Sequence, residues 1–242
     1  MGEKNVADYY DSFTDYQLKK KITIRHRTIF NNLINIGLKR NSQVLEIGCG
    51  IGTFTSLMAR YIKKGHITAV DISPKSIEIA KKDLCKSYPN IYFIVSDMSD
   101  FSSEKKFDFI VLPDVLEHIP IEQHFNIFKI LRAHSHNSTK ILINIPSPFY
   151  LRWVHKHKPE LLQIIDQPID SDILFKNIYD NDFHIKSLNT YSLHVQEGDY
   201  QCIIAQAQKG KAFENITYNS FITNVIKGIL CKIKTYFILL TR

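Results

Sequence analysis

The sequence predicts an α/β protein in which a parallel sheet is wrapped by helices on both faces. Two observations predict it. Short apolar runs of strand character recur at VLEI (44–47), HITAV (66–70), IYFIV (91–95), FDFIVLP (107–113) and KILINIP (140–146), with helical segments between them. The first run leads directly into a glycine turn and a helix, in VLEIGCGIGTFTSLMARY, and the next strand ends in an acid, in AVDIS. That alternation is how parallel strands are connected.

The elements follow in order. Residues 1–40 read as helical: NVADYYDSFTDYQ first, then ITIRHRTIFNNLINIGL, where Ile24, Ile29, Leu33 and Ile36 recur at helical spacing. A helix over 54–61 follows the glycine turn. SPKSIEIAKKDLCKSY opens with Ser73 as N-cap and Pro74 at the first helical position. IEQHFNIFKILRAH is the helix after the fourth strand. The segment SPFYLRWVHKHKPELLQIID is aromatic and basic and reads as an insertion or lid, spanning residues 147–168. SDILFKNIYDN is a further helix. FHIKSLNTYSLHV and DYQCIIAQAQ read as an antiparallel strand pair joined through QEGD. Residues 209–242 form a tail in which Phe221, Ile222, Val225, Ile226, Ile229, Leu230, Ile233, Phe237 and Leu240 share one helical stripe. Lys227, Lys232 and Lys234 interrupt it, so it does not read as a transmembrane span. Packing on the body or on a second copy, as in a homodimer, or lying on a membrane surface remain open for it.

Composition bounds the function. The 242 residues suffice for one large domain, and 44% apolar with 23% charged residues is ordinary for a globular protein. The net charge of +7 favours anionic partners, but Lys and Arg are scattered rather than massed, which argues against nucleic acid. Cys49, Cys85, Cys202 and Cys231 lie far apart with no CxxC pair, which argues against a zinc knuckle and fits a reducing cytoplasm. The N-terminus lacks an apolar signal region, and Val6 stands where a myristoylation site wants Ser or Thr.

The glycine turn carries the chemistry. Gly48, Gly50 and Gly52 allow the backbone close to a ligand, and the following helix presents free N–H groups. Asp71, 19 residues past Gly52, can accept hydrogen bonds from ribose hydroxyls. The spacing GCGIG is not that of a pyrophosphate-binding G-x-G-x-x-G turn, since Thr53 stands where the last glycine is needed. Glu46, just before the first glycine, would repel a pyrophosphate and suits a cationic cofactor, directly or through water.

At these residues the sequence resembles the class I S-adenosylmethionine-dependent methyltransferases. VLEIGCGIG looks like their first motif, AVDIS their second, SDMSDF their third and FDFIVLPDVLEHI their fourth, so the resemblance covers roughly residues 40–146. It implies a Rossmann-like seven-stranded, mostly parallel sheet with helices on both faces and the last strand antiparallel. It implies S-adenosyl-L-methionine as cofactor, with S-adenosyl-L-homocysteine as product. Carried over residue by residue, it implies a cofactor site from Glu46, Gly48, Gly50, Asp71 on the ribose, Ile72, Asp97 on the adenine amino group, Met98 beside the ring, and Pro113. The N-terminal helices would close over the cofactor as a cap, with Tyr9, Tyr10 and Tyr16 lining the cleft, Arg25 on the cofactor's carboxylate and His26 facing the acceptor; each of these is also readable as ordinary packing.

Methyl transfer is an in-line displacement that needs alignment and water exclusion. A hydroxyl acceptor also needs a base. PDVLEHIP offers Asp114, Glu117 and His118, with Asp114 and His118 four apart on one face of a short helix. His118 is the candidate base, Asp114 its companion, and a His that merely braces the loop is the alternative. In the insertion, Phe149, Tyr150, Trp153, His155 and His157 can stack on a sugar or base, while Arg152, Lys156 and Lys158 suit phosphate. A metal site from Asp114, His118 and His155 or His157 is conceivable but not predicted.

The expected function is methylation of a small-molecule acceptor, O-directed, on a sugar or nucleotide-sugar. The alternatives are N-methylation of an amino sugar or small amine, and a non-catalytic subunit binding a partner through the tail. The LPDV after the fourth strand replaces the NPPY-type tetrad used on exocyclic amines of nucleic acids.

Overall fold

The computed structural model describes residues 3–18, 21–208, 226–227 and 229–230, with side chains of the first helix described at 6–12 and 14 only. The chain divides into two units, Met1–Lys209 and Gly210–Arg242. In the second, the four described residues are helical. The rest of the stripe expected from Phe221 to Leu240 lies outside the described residues. No helix among the described residues is long and apolar enough to cross a membrane.

The first unit runs α1 (Glu3–Leu18), α2 (Ile24–Asn35), β1 (Gln43–Ile47), α3 (Thr53–Tyr61), β2 (His66–Asp71), α4 (Pro74–Leu84), β3 (Ile91–Val95), β4 (Phe107–Pro113), α5 (His124–Ala133), β5 (Ser135–Pro146), α6 (Pro148–His157), α7 (Ser171–Asp180), β6 (Phe183–Tyr191) and β7 (Tyr200–Ala207). The seven strands form one sheet in the order β3-β2-β1-β4-β5-β7-β6. The five strands β1 to β5 are parallel, and β7 runs antiparallel to both β5 and β6. The expected Rossmann-like sheet, with its antiparallel last strand, is therefore present.

The period of two along each strand divides the core. Leu45, Ile47, Ile110, Leu112, Ile141 and Ile143 face α5 and α7. Val44, Phe109, Val111 and Leu142 face α2 and α3. Parallel strands buried on both faces must be apolar on both faces. Each fully buried Ile or Leu contributes about 1.5–3 kcal/mol, so these strands anchor the loops at their C-terminal ends.

Two helix starts position those loops. Thr23 caps α2 in a reciprocal arrangement with His26, and Ser73 caps α4 with Pro74 behind it. α1 is docked on α4 through Asp11, which accepts from the Ser73 hydroxyl and, at 3.2 Å, from the Lys75 amide.

Three expectations change. Ile24 is 66% exposed, because α2 begins there and its buried stripe is Ile29 and Leu33. The helix expected over 121–134 opens as a 3-10 turn, Ile121–Gln123, before α5. β5 starts at Ser135 rather than 140, through an irregularity closed by the Thr139 hydroxyl donating to Phe107 O at 2.5 Å.

Candidate active site

The C-terminal ends of β1, β2, β4 and β5 surround a cavity of about 350 Å³. Ligands bind at this edge of parallel sheets because the strand ends and helix starts leave polar backbone there. An apolar recess of about 110 Å³ opens beside it.

The glycine turn forms one wall. Gly48, Gly50 and Gly52 have φ of 73°, 52° and 82°. A Cβ on Gly48 would stand 2.3 Å from Val115 Cγ2, so this position requires glycine twice over. Asp71 closes the turn: Oδ2 accepts from the Gly50 amide at 2.7 Å and Oδ1 from the Ser73 amide at 2.9 Å. Each carboxylate oxygen keeps a further lone pair, and Asp71 lines both cavity and recess. Burial pushes its pKa up, opposed by those amides.

Glu46 is fully buried at the end of β1 and lines the cavity. Oε2 accepts from the Thr55 hydroxyl at 2.6 Å, while Oε1 has no partner. Burial pushes its pKa up to about 8. A buried carboxylate oxygen left unpaired is costly and marks a place for a ligand donor.

The recess is walled by Ile47, Val70, Ile72, Met98, Val115 and Ile119, with Asp97 at its edge. Met98 has φ of 73° and is 1% exposed. The Ser96 hydroxyl accepts from its amide at 3.0 Å and holds that left-handed turn.

Pro113 ends β4 and Asp114 follows it. The expected short helix carrying Asp114 and His118 on one face is not formed. Asp114 takes φ of 60°, and only Leu116–His118 makes a 3-10 turn. Asp114 turns instead toward β5 and α2. Asn144 Nδ2 donates to its Oδ1 at 2.7 Å, and Arg25 Nε pairs with Oδ2 at 2.8 Å. Arg25 Nη1 donates to Tyr200 OH at 3.0 Å, and Tyr191 OH donates to Asn144 Oδ1 at 2.5 Å. Asp114 thus orients Arg25. The Asp114 charge holds the Arg25 pKa up against the lowering effect of burial, while burial raises the pKa values of Tyr191 and Tyr200.

His118 lies on the opposite wall. Its Nδ1 is 2.6 Å from Ile165 O and 3.2 Å from Asp166 Oδ1. A carbonyl can only accept, so Nδ1 carries the proton and Nε2 of the neutral ring is the acceptor. Gln163 Nε2 stands 3.2 Å from that Nε2. Glu117, 2% exposed, places Oε1 3.9 Å from His118 Nε2. Burial, with Asp114 and Asp166 nearby, pushes the Glu117 carboxyl well above its ordinary range.

The remaining candidates divide. Tyr10 lines cavity and recess, edge-on to His118 with ring centres 6.2 Å apart. Tyr9 packs edge-on against Tyr10 and is not among the lining residues. The Tyr16 side chain lies outside the described residues. His26 lines the cavity, but its Nδ1 is occupied in capping α2. From α6, Tyr150 lines the cavity, whereas Trp153 and His155 do not. Trp153 stacks on Tyr150 from outside, and His155 Nε2 meets Asp166 O at 2.6 Å. Arg152 pairs with Asp170 away from the cavity. Among the described residues no three His, Cys, Asp or Glu side chains come together as a metal site.

Sequence reasoning passed over Leu151, Val154, Gln163, Asp166 and Tyr200, and gave Glu117 no role; all six line the cavity. For Leu151 and Val154 the signal was present as the apolar stripe of an amphipathic helix. For Tyr200 there was none, since only the β5–β7 pairing brings it opposite Pro146.

The comparisons with known proteins bear on the fold. Residues 44–136 match the family model described as a methyltransferase domain. Malonyl-[acyl-carrier protein] O-methyltransferase 1 of Ilyobacter polytropus is 40% identical over 104 residues, 43% of this chain and 36% of that protein. Nodulation protein S of Rhizobium tropici is 35% identical over 78 residues, 32% of each. The chain spans about a third of the length of these curated relatives. Among solved structures, magnesium protoporphyrin IX methyltransferase from Synechocystis PCC 6803 with bound S-adenosylhomocysteine matches with a TM-score of 0.67 at 18% identity, covering 85% of this chain and 99% of that one. N-methyltransferase NodS from Bradyrhizobium japonicum WM9 with the same ligand matches with a TM-score of 0.67 at 16% identity, covering 86% and 98%. The fold is that of the class I S-adenosylmethionine-dependent methyltransferases.

Proposed function

We propose that this protein is an S-adenosylmethionine-dependent methyltransferase acting on a small-molecule acceptor. The observation that carries the cofactor is the unpaired, buried Oε1 of Glu46 facing the cavity beside the glycine turn. It fits the cofactor's ammonium group. Asp71, with lone pairs to spare, fits a ribose diol, and the recess between Ile72, Met98 and Val115 fits an adenine with Asp97 at its edge. Arg25 is held by Asp114 and Tyr200 at the cavity wall, where it meets a carboxylate. The bound cofactor supplies an electrophilic methyl group on a sulfonium.

The protein's part is orientation and proton handling. The segment 147–168 and α1 enclose the cavity, and Tyr10 presents an aromatic ring to it, which suits a cation. In the leading reading the acceptor is a hydroxyl of a sugar or related metabolite. His118 supports it, because its Nδ1–H is engaged by Ile165 O, and a hydroxyl that displaces the Gln163 amide, 3.2 Å from Nε2, can give its proton to that nitrogen. The nucleotide-activated form is disfavoured by charge. Among the described residues, Glu46, Asp71, Asp114, Glu117 and Asp166 line the cavity against Arg25 alone of the Lys and Arg. The same acid excess supports the second reading, an amino sugar or small amine as acceptor. A cytoplasmic setting belongs to the proposal through the four dispersed cysteines.

The test is S-adenosylhomocysteine release by the purified full chain with S-adenosylmethionine and a panel of free sugars, amino sugars and nucleotide-sugars. Turnover on a free sugar or amino sugar is expected. Turnover confined to nucleotide-sugars would contradict the charge argument.

A further inference from the structure

The cavity holds one buried carboxylate that neither the cofactor nor the base reading uses. Glu117 is 2% exposed and lines the cavity, and its Oε2 has no hydrogen-bond partner. Arg25, whose Nε pairs with Asp114 and whose Nη1 donates to Tyr200, acts on Glu117 through its charge but makes no hydrogen bond to Oε2. Asp166, 10% exposed at its side chain, contacts the same His118 ring from the other side. A buried carboxylate oxygen with no partner is costly and marks a place that a ligand donor can complete.

We propose that Glu117, seconded by Asp166, is the ammonium-binding side of the acceptor site, so that the acceptor is an amine-bearing molecule: a small primary amine or an amino sugar. This rests on the methyltransferase reading above and names the charge of its substrate. It holds whether the methylated atom is the amine or a hydroxyl beside it, because the carboxylate recognises the cation wherever the methyl lands. Burial supports it: it pushes the Glu117 pKa up, and a bound cation offsets that cost to the charged form. His118, between the two acids, then contacts the same substrate through Nε2.

The experiment is calorimetric titration of the full chain saturated with S-adenosylhomocysteine. The probes are two matched pairs, glucosamine with glucose and ethanolamine with ethylene glycol. The amine of each pair is expected to bind about tenfold or more tightly, the scale of one charge-assisted hydrogen bond. Glu117→Gln, which keeps shape and removes charge, is expected to erase that preference, and Asp166→Asn to reduce it. The S-adenosylhomocysteine affinity of each variant reports that it is folded. Equal or undetectable binding of both members of each pair overturns the inference, as does a preference that survives in Glu117→Gln. So does a Glu117→Gln protein that merely loses S-adenosylmethionine relative to S-adenosylhomocysteine, since the carboxylate would then face the sulfonium. Failure of the wild-type chain to bind S-adenosylhomocysteine is a separate result and would sink the cofactor reading itself.

Discussion

His118 Nδ1 lies 2.6 Å from the carbonyl oxygen of Ile165, a residue 47 positions away in the loop between α6 and α7. That bond fixes the ring's tautomer and aims Nε2 at the cavity. It also ties the wall after β4 to the segment 147–168, so the His118 ring and that segment are set together.

The first prediction follows from that geometry. His118→Ala should lower turnover on a hydroxyl acceptor by about 10²–10⁴-fold, the usual worth of a positioned base. S-adenosylhomocysteine affinity should hardly change, because the proposal assigns Nε2 of the ring to the acceptor. Steady-state kinetics beside a binding titration separates the two; near-wild-type turnover would return His118 to a bracing role.

Glu46 predicts a pH dependence. Its pKa is raised by burial from 4.5 to about 8 in the folded protein. The stability it permits is therefore fully present below the unfolded value and is lost as pH rises through the folded one. Without cofactor, the wild type should lose stability between pH 4.5 and 8 relative to Glu46→Gln. The variant should be the more stable at high pH by about 1–3 kcal/mol, the cost of an unsatisfied buried group. Thermal melts of both proteins across that range check the sign. The variant should also bind S-adenosylhomocysteine more weakly.

Gly48 predicts a two-part cost. Its φ of 73° disfavours any side chain, and an added Cβ meets Val115 Cγ2 at 2.3 Å. Gly48→Ala should destabilise by about 1–3 kcal/mol from the backbone alone, with the clash added. Val115→Ala in the same chain should restore only the clash. Chemical denaturation of the two single variants and the double variant reads this directly; complete restoration would mean that φ carries no strain there.

Asp114 and Arg25 predict a clamp. Arg25→Met leaves the Asp114 carboxylate, 12% exposed, facing Tyr200 and Asn144 without its cation. The loss should be about 1–3 kcal/mol, since the Arg side is a third exposed and partly screened. Arg25→Met together with Asp114→Asn should recover part of it, as a double-mutant cycle would show.

The sheet was legible because parallel strands buried on both faces are written as consecutive apolar runs, and the glycine turn because strand, glycines, helix and acid stand within 28 residues, Val44 to Asp71. The cavity wall was less so. The spacing of four between Asp114 and His118 carries a meaning only on an α-helix, and the left-handed Asp114 breaks it. Trp153 and His155 look like binding residues by type. The apolar stripe of α6 decides direction, however, and it turns Leu151 and Val154 inward. The Asn144–Tyr191 and Arg25–Tyr200 bonds join residues 47 and 175 positions apart, which no local pattern records.

The most direct measurement is calorimetric titration of the purified full chain with S-adenosylhomocysteine, with NAD titrated in parallel. The glycine turn, Glu46 and Asp71 predict one saturable site for S-adenosylhomocysteine, strongly weakened in Asp71→Ala, and no saturable heat from NAD. No binding of S-adenosylhomocysteine, or tighter binding of NAD, would contradict the account.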